Sequence, residues 1–206
     1  TVLPKLLAGL GPTFQATRGR WLGDLPPDSL DLLTDCLLTS ALWGLGGRVL
    51  VVSPQPEAVL ARLTQVQQRL GLSRPGACVV GAGALKEQLT AGLFPALVIL
   101  DVHELFGESL RHLSRLNPHW LAQLDQVLLL RVDGLLPIGS THLALSLRRL
   151  ALVAGSKLGE GRRLHWLALS EGGPAGRSYL EQAVGRSFDE LSLGTVETTP
   201  ARVYLR

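Results

Sequence analysis

RVLVVSPQPEAVLARLTQVQQRL, residues Arg48 to Leu70, decides how the chain is read. Arg48 to Ser53 is a short, largely β-branched apolar run, with the length and composition of a strand buried on both faces. Pro54 breaks the run, and from Glu57 apolar residues recur at helical spacing, at Val59, Leu60, Leu63, Val66 and Leu70, opposite a face rich in glutamine and arginine. A buried strand, a proline turn and an amphipathic surface helix are the unit from which helix-covered parallel sheets are built.

The same unit recurs outward from this stretch. Ala96–Leu100, Gln126–Leu130 and Leu164–Leu169 are further apolar runs of buried-strand length, Ala77–Val80 adds a short one, and Arg202–Leu205 reads as a last one. Helical patterns fall at Ser29–Trp43, Leu85–Ala91, Asn117–Leu124, Ser140–Ala154 and Arg177–Val184. Glycine and proline mark the joints, at Gly46-Gly47, Pro54, Gly71, Pro75-Gly76, Pro95, Gly155 and Gly172-Gly173-Pro174. No repeat or linker divides the chain, so residues 1–206 are expected to form one α/β domain: a mostly parallel sheet of five or more strands with helices on both faces.

Composition narrows the setting. Apolar residues make up 46% of 206, spread along the whole length as a large core requires, and no run reaches the roughly 18 apolar residues of a membrane span. Thr1–Gly11 carries no export signal, so an intracellular location, cytoplasmic or nuclear, is expected, with no membrane partner. Cys36 and Cys78 lie far apart without metal-ligand spacing and read as buried thiols of a reducing compartment. The net charge of +3 is a weak polyanion signal, and lysine occurs only at positions 5, 86 and 157, which leaves few candidates for a phosphate-binding lysine.

The order of segments resembles the first RecA-like domain of superfamily 2 DExH helicases, most closely the RecQ4-like family that carries a cysteine-rich C-terminal domain. RVLVVSPQPEAVLARL (Arg48–Leu63) resembles motif Ia, and FPALVILDVHELF (Phe94–Phe106) the strand and loop of motif Ib. HWLAQLDQVLLLRVDG (His119–Gly134) with GSTHLALSLRRL (Gly139–Leu150) is similar to the DExH strand and its flanking helices. LHWLALSEGGP (Leu164–Pro174) resembles motif III, and YLEQAVGRSFDEL (Tyr179–Leu191) the helix and turn after it. The resemblance implies a three-layer RecA-like, P-loop NTPase-like sheet.

It also shows which chemistry is missing. Phosphoryl transfer in such domains needs backbone amides around the phosphates, a lysine on the β/γ oxygens, and a hydroxyl and carboxylate on magnesium. No G-x-x-x-x-G-K-[ST] occurs; the positional counterpart is QATRGRW (Gln15–Trp21), in which Thr17, Gly19 and Arg20 would form the residual nucleotide site. Where the family has its Asp-Glu pair, this chain has Leu130 and Arg131, and only Ser170 remains of motif III. A rival alignment puts the acidic strand end at Asp101-Val102-His103-Glu104, which is also readable either as an acid/base cluster or as hydrogen-bonded caps. The histidines at 103, 112, 119, 142 and 165 have no metal-ligand spacing, and no serine elbow is present, so no catalytic residue or metal site is assigned.

By resemblance, the motif Ia and Ib loops that touch nucleic acid fall at Ser53, Gln55 and His103, although Asp101 introduces an opposing charge. Arg148 and Arg149, with Lys157, Arg162 and Arg163, form the densest basic set and offer phosphate contacts or a solvated face. The expectation is a helicase-like domain without ATP hydrolysis and without a resident cofactor. It would act as a scaffold or nucleic-acid-processing accessory that meets a protein partner, a second RecA-like lobe or nucleic acid, with Trp21, Trp43 and Trp120 as candidate anchors. The alternatives are an ATP- and magnesium-dependent helicase fragment, or an unrelated Rossmann-like enzyme using Asp101 and His103.

Overall fold

The computed structural model describes residues 19–22, 27–42, 47–71, 78–105, 118–132, 135, 137–157, 164–170, 174–185 and 187–190. Among them, β1 (Gly19–Leu22), β2 (Arg48–Val52), β3 (Cys78–Val80), β4 (Leu97–Leu100), β5 (Leu124–Leu130), β6 (His165–Leu169) and β7 (Phe188–Glu190) form one sheet. Its order is β3-β4-β2-β5-β6-β1-β7, and every neighbouring pair is parallel.

The helices are α1 (Pro27–Leu42), α2 (Pro56–Leu70), α3 (Ala82–Thr90), the single turn α4 (Val102–Glu104), α5 (Pro118–Ala122), α6 (Pro137–Lys157) and α7 (Pro174–Val184). Five of them begin on proline, at positions 27, 56, 118, 137 and 174. Proline has a fixed φ suited to the first helical residue, and it lacks an N–H that would be orphaned there anyway. Each of these prolines therefore starts a helix as well as ending the loop before it. α2 ends at Gly71, whose left-handed φ of 63° lets its N–H reach the carbonyls of Gln67 and Gln68.

Strand residues alternate between two cores, which explains why the runs are apolar throughout. Leu50, Val52, Val98, Leu100, Val127, Leu129, Trp166 and Ala168 meet α3 to α7, while Val49, Val51, Leu97, Ile99, Leu128, Leu130, Leu167 and Leu169 meet α1 and α2. The result is three layers, helix on sheet on helix. Among the described residues no helix is long and apolar enough to cross a membrane.

Several expectations shift. Gly19 and Arg20 do not lie in a phosphate loop. They belong to β1, where Arg20 is in register with Leu167 on one side and Asp189 on the other. The stretch joining β1 to α1 is residues 23–26, outside the described residues, as is Thr17. The turn read after Tyr179–Val184 contains the edge strand β7, and the strand read at Arg202–Leu205 lies outside the described residues. Trp120 is fully buried, its indole N–H directed at the Pro95 carbonyl at 3.5 Å, so it is a core residue and not an anchor for a partner. Trp43 and the Trp21 side chain lie outside the description. Cys36 is buried as expected, whereas Cys78 is only partly buried.

Candidate functional site

In a fully parallel sheet all the strand ends that follow the chain direction lie at one edge, and open α/β folds collect their ligands there. β2 ends in Ser53, β4 in Asp101, β5 in Leu130 and Arg131, and β6 in Ser170. Between α1 and α2, above β2 and β5, that edge opens into a cleft of about 350 Å³. Its walls include Asp31 and Thr34 of α1, Gln55, Arg62 and Gln65 on or beside α2, and Ser53, Leu130 and Arg131 of the sheet.

An ion-pair network spans the cleft. The Arg62 guanidinium donates through Nε and Nη2 to both carboxylate oxygens of Asp35, the second at 2.9 Å, and its Nη1 lies 2.7 Å from Asp31 Oδ2. Arg131 closes the network from the sheet, with Nη2 at 3.1 Å from Asp31 Oδ1. The hydrogen bond to Asp35 is the main cause that raises the Arg62 pKa above its already high ordinary value. Two arginines thus neutralise two aspartates, joining α1, α2 and β5.

Arg131 adopts φ 53°, the only positive φ at a non-glycine among the described residues. Side chains resist that conformation, so its surroundings must hold it. Its backbone N–H donates to the Leu169 carbonyl at 2.9 Å, and its side chain is tied to Asp31. Leu130, one residue earlier, is 3% exposed and belongs to the α1/α2 core.

The remaining expected residues divide among separate places. Ser53 is buried; its N–H donates to the Leu100 carbonyl, and its Oγ accepts from the Gln55 N–H at 3.2 Å. Gln55 is exposed at the start of α2. Asp101 caps α4 by accepting from the His103 N–H at 2.7 Å, while Glu104 accepts from the Asp101 N–H and, through its other oxygen, from the Ala82 N–H that opens α3. Both carboxylates therefore hold backbone amides, as the cap reading required. His103 is exposed and meets His142 of α6 edge to face, with ring centroids 5.7 Å apart.

Arg148 and Arg149 lie elsewhere. They are eleven and twelve residues into α6, which places them roughly 17 Å down the helix from the sheet edge at the 1.5 Å rise per residue. Both are exposed, and Arg148 donates to the Gln182 carbonyl of α7 at 2.8 Å. The edge residues Ser53, Gln55 and His103 and the arginine pair do not form one surface.

Sequence reading passed over Asp31, Asp35 and Arg62, which form the ion-pair network between α1 and α2. One signal was available: aspartates four apart on a helix repel each other unless a cation is supplied from outside it.

This architecture is the three-layer RecA-like α/β fold of helicases. In particular, the chain is similar to the crystal structure of the DUF1998 helicase MrfA bound to DNA and AMPPNP, with 14% identity and a TM-score of 0.69, covering 91% of this chain and 26% of that one. It is also similar to the DEAD-box helicase Mss116 bound to ssRNA and UDP-BeF, with 16% identity, a TM-score of 0.60 and coverage of 91% and 38%. The Pyrococcus furiosus Hef helicase domain matches at 12% identity and a TM-score of 0.56, with coverage of 91% and 37%. The chain thus spans between about a quarter and two fifths of these proteins. No protein-family model and no curated protein sequence matches it.

Proposed function

We propose that this chain is a helicase-type RecA-like lobe, of the RecQ4-like group that its segment order resembles, which does not turn over ATP and serves as a scaffold or nucleic-acid-processing accessory. The observation that carries this reading is the end of β5. Leu130 is packed into the core, and Arg131 is ion-paired with Asp31 across the cleft, at the positions where the resemblance requires a magnesium-binding and water-activating acidic pair.

ATP and magnesium do not fit these residues. Asp31, the carboxylate that lines the cleft, is ion-paired with both Arg62 and Arg131, and Asp35 beside it on α1 is paired with Arg62. From Gly23 through the first turn of α1, the sequence Gly23-Asp24-Leu25-Pro26-Pro27-Asp28-Ser29 has no lysine and no G-x-x-x-x-G-K-[ST] pattern. The MrfA structure holds AMPPNP and DNA and the Mss116 structure holds RNA, which makes an active helicase fragment the reading to test against. Under our reading the exposed Gln55 and His103 remain available to a nucleic-acid backbone, while nucleotide binding is lost.

Calorimetric titration with ATP and magnesium, alongside a phosphate-release assay, is the test. No binding heat and no turnover are expected. Micromolar affinity, or turnover abolished by Arg131→Ala, would establish the fragment reading instead.

A further inference from the structure

α6 is the longest helix among the described residues, and from Pro137 to Lys157 it carries no aspartate or glutamate. Gly139, Leu143, Ser146, Leu147 and Leu150 are buried on its inner side. At 3.6 residues per turn, Leu145 and Leu152 point within about 20° of each other, directly away from that buried side and roughly 10 Å apart along the axis. They are 51% and 76% exposed. Arg148 and Arg149 lie between them along the helix and roughly 50° to either side. Both are exposed, and Arg149 has no ion-pair partner among the described residues.

A single exposed leucine is unremarkable, but two at seven-residue spacing along the midline of an outward face form a seam of the kind that receives a second helix. From this arrangement we infer that the outer face of α6 docks an amphipathic helix of a partner protein, whose apolar stripe lies on Leu145 and Leu152 and whose flanking carboxylates pair with Arg148 and Arg149. Charge decides the occupant. A second copy of α6 would set arginine against arginine with no acid on either face. A phosphate backbone would satisfy the arginines but leave the central leucines without an apolar surface to cover them. An acidic amphipathic helix satisfies both features, with the carboxylates steering encounter and the leucines supplying the buried contact. This deepens the scaffold reading above by naming the partner's chemistry, and it moves Arg148 and Arg149 from nucleic-acid contact to protein contact.

The test uses the 206-residue protein and a fluorescein-labelled, three-heptad helical peptide of about 21 residues, with leucine along one stripe and glutamate on both sides. Fluorescence anisotropy should show saturable binding that weakens about tenfold with Leu152→Asp and with the pair Arg148→Glu and Arg149→Glu. A peptide with lysine in place of glutamate should not bind. Because Arg148 also bonds to α7, the Leu152→Asp variant, which alters only an exposed side chain, keeps the test independent of folding. Absence of binding, or binding unchanged in both variants, overturns the inference. So does a labelled oligothymidine that binds through the arginines and ignores Leu152→Asp, which would make the face a nucleic-acid contact. A dimer in sedimentation that Leu152→Asp dissociates would overturn it as self-association. Titrating the same sample with ATP and magnesium separates the two readings: peptide binding together with ATP binding keeps the docking face and removes the silent-lobe reading.

Discussion

Replacing Arg62 with leucine should destabilise the domain by about 2 kcal/mol. The guanidinium makes three charged contacts, two to Asp35 and one to Asp31, with side chains that are 34%, 20% and 35% exposed respectively. Fully exposed pairs contribute about 0.2–1 kcal/mol, and breaking a fully buried pair costs about 3–5 kcal/mol, so this half-buried bidentate site falls between them. Removing the cation also leaves Asp31 and Asp35 four residues apart on α1, a like-charge pair that costs a further few tenths of a kcal/mol. Asp31 keeps Arg131 at 3.1 Å, so most of the uncompensated charge falls on Asp35. The double variant Arg62→Leu/Asp35→Asn should therefore recover roughly 1 kcal/mol or more relative to the sum of its single changes. Urea unfolding followed by circular dichroism measures all three variants. In thermal melts the single change should lower Tm by roughly 4–8 °C for a chain of this size. A cost below about 0.5 kcal/mol, or additive single changes, would show that the network is solvated surface charge and does not join α1 to α2.

Two further outcomes follow from the geometry. Gly47 has φ 82°, and a Cβ there would lie 1.8 Å from Asp125 Oδ2, the atom that accepts the Arg48 N–H at 2.9 Å, so Gly47→Ala should cost about 3 kcal/mol in strain and lost hydrogen bonding; a loss under 1 kcal/mol in urea unfolding would refute this account. Burial pushes the Cys78 thiol up to about 11, so its alkylation by iodoacetamide should be slow at pH 8 and rise steeply towards pH 11, and the folded state should lose stability over the same interval because the unfolded chain releases that proton first; reaction at the rate of a free cysteine at pH 8 would contradict the burial.

The fold was legible in the sequence because the central strands are buried on both faces. Val49 to Val52, Leu97 to Leu100 and Val127 to Leu130 are apolar at every position, which no amphipathic element reproduces. β1 was not legible. Gly19-Arg20-Trp21-Leu22 contains one aliphatic residue and draws attention through its glycine, and it is a strand because β6 and β7 supply hydrogen bonds on both sides. β7, Phe188-Asp189-Glu190, is three residues with a single apolar side chain, and only its pairing with β1 defines it. The cleft was hidden for a related reason. Arg62 meets Asp35 across 27 residues and Arg131 meets Asp31 across 100, and no local pattern encodes contacts at such separations. The cap at Asp101 was legible because an aspartate followed three residues later by glutamate is a local motif, Asp101 to Glu104.

The division between core and edge explains how this fold accommodates the residues at the end of β5. The core depends on which face of the sheet each apolar residue meets, and Leu128 and Leu130 meet α1 and α2 as the alternation of β5 requires. An acidic residue at 130 would interrupt that alternation and would have to be satisfied by something bound at the edge, whereas leucine there extends the core to the last residue of the strand. The next position turns out of the sheet at φ 53°, a conformation that needs tethering, and the Arg131 side chain reaches α1 through Asp31. Arg62 makes the corresponding tie from α2, so three elements that border the cleft are held by the chain's own side chains. These ties join α1, α2 and β5 around the cleft, with no acidic side chain at positions 130 and 131. The proposed scaffold role requires an edge of this kind, and the α6 face and the nucleotide titration test separate parts of that proposal.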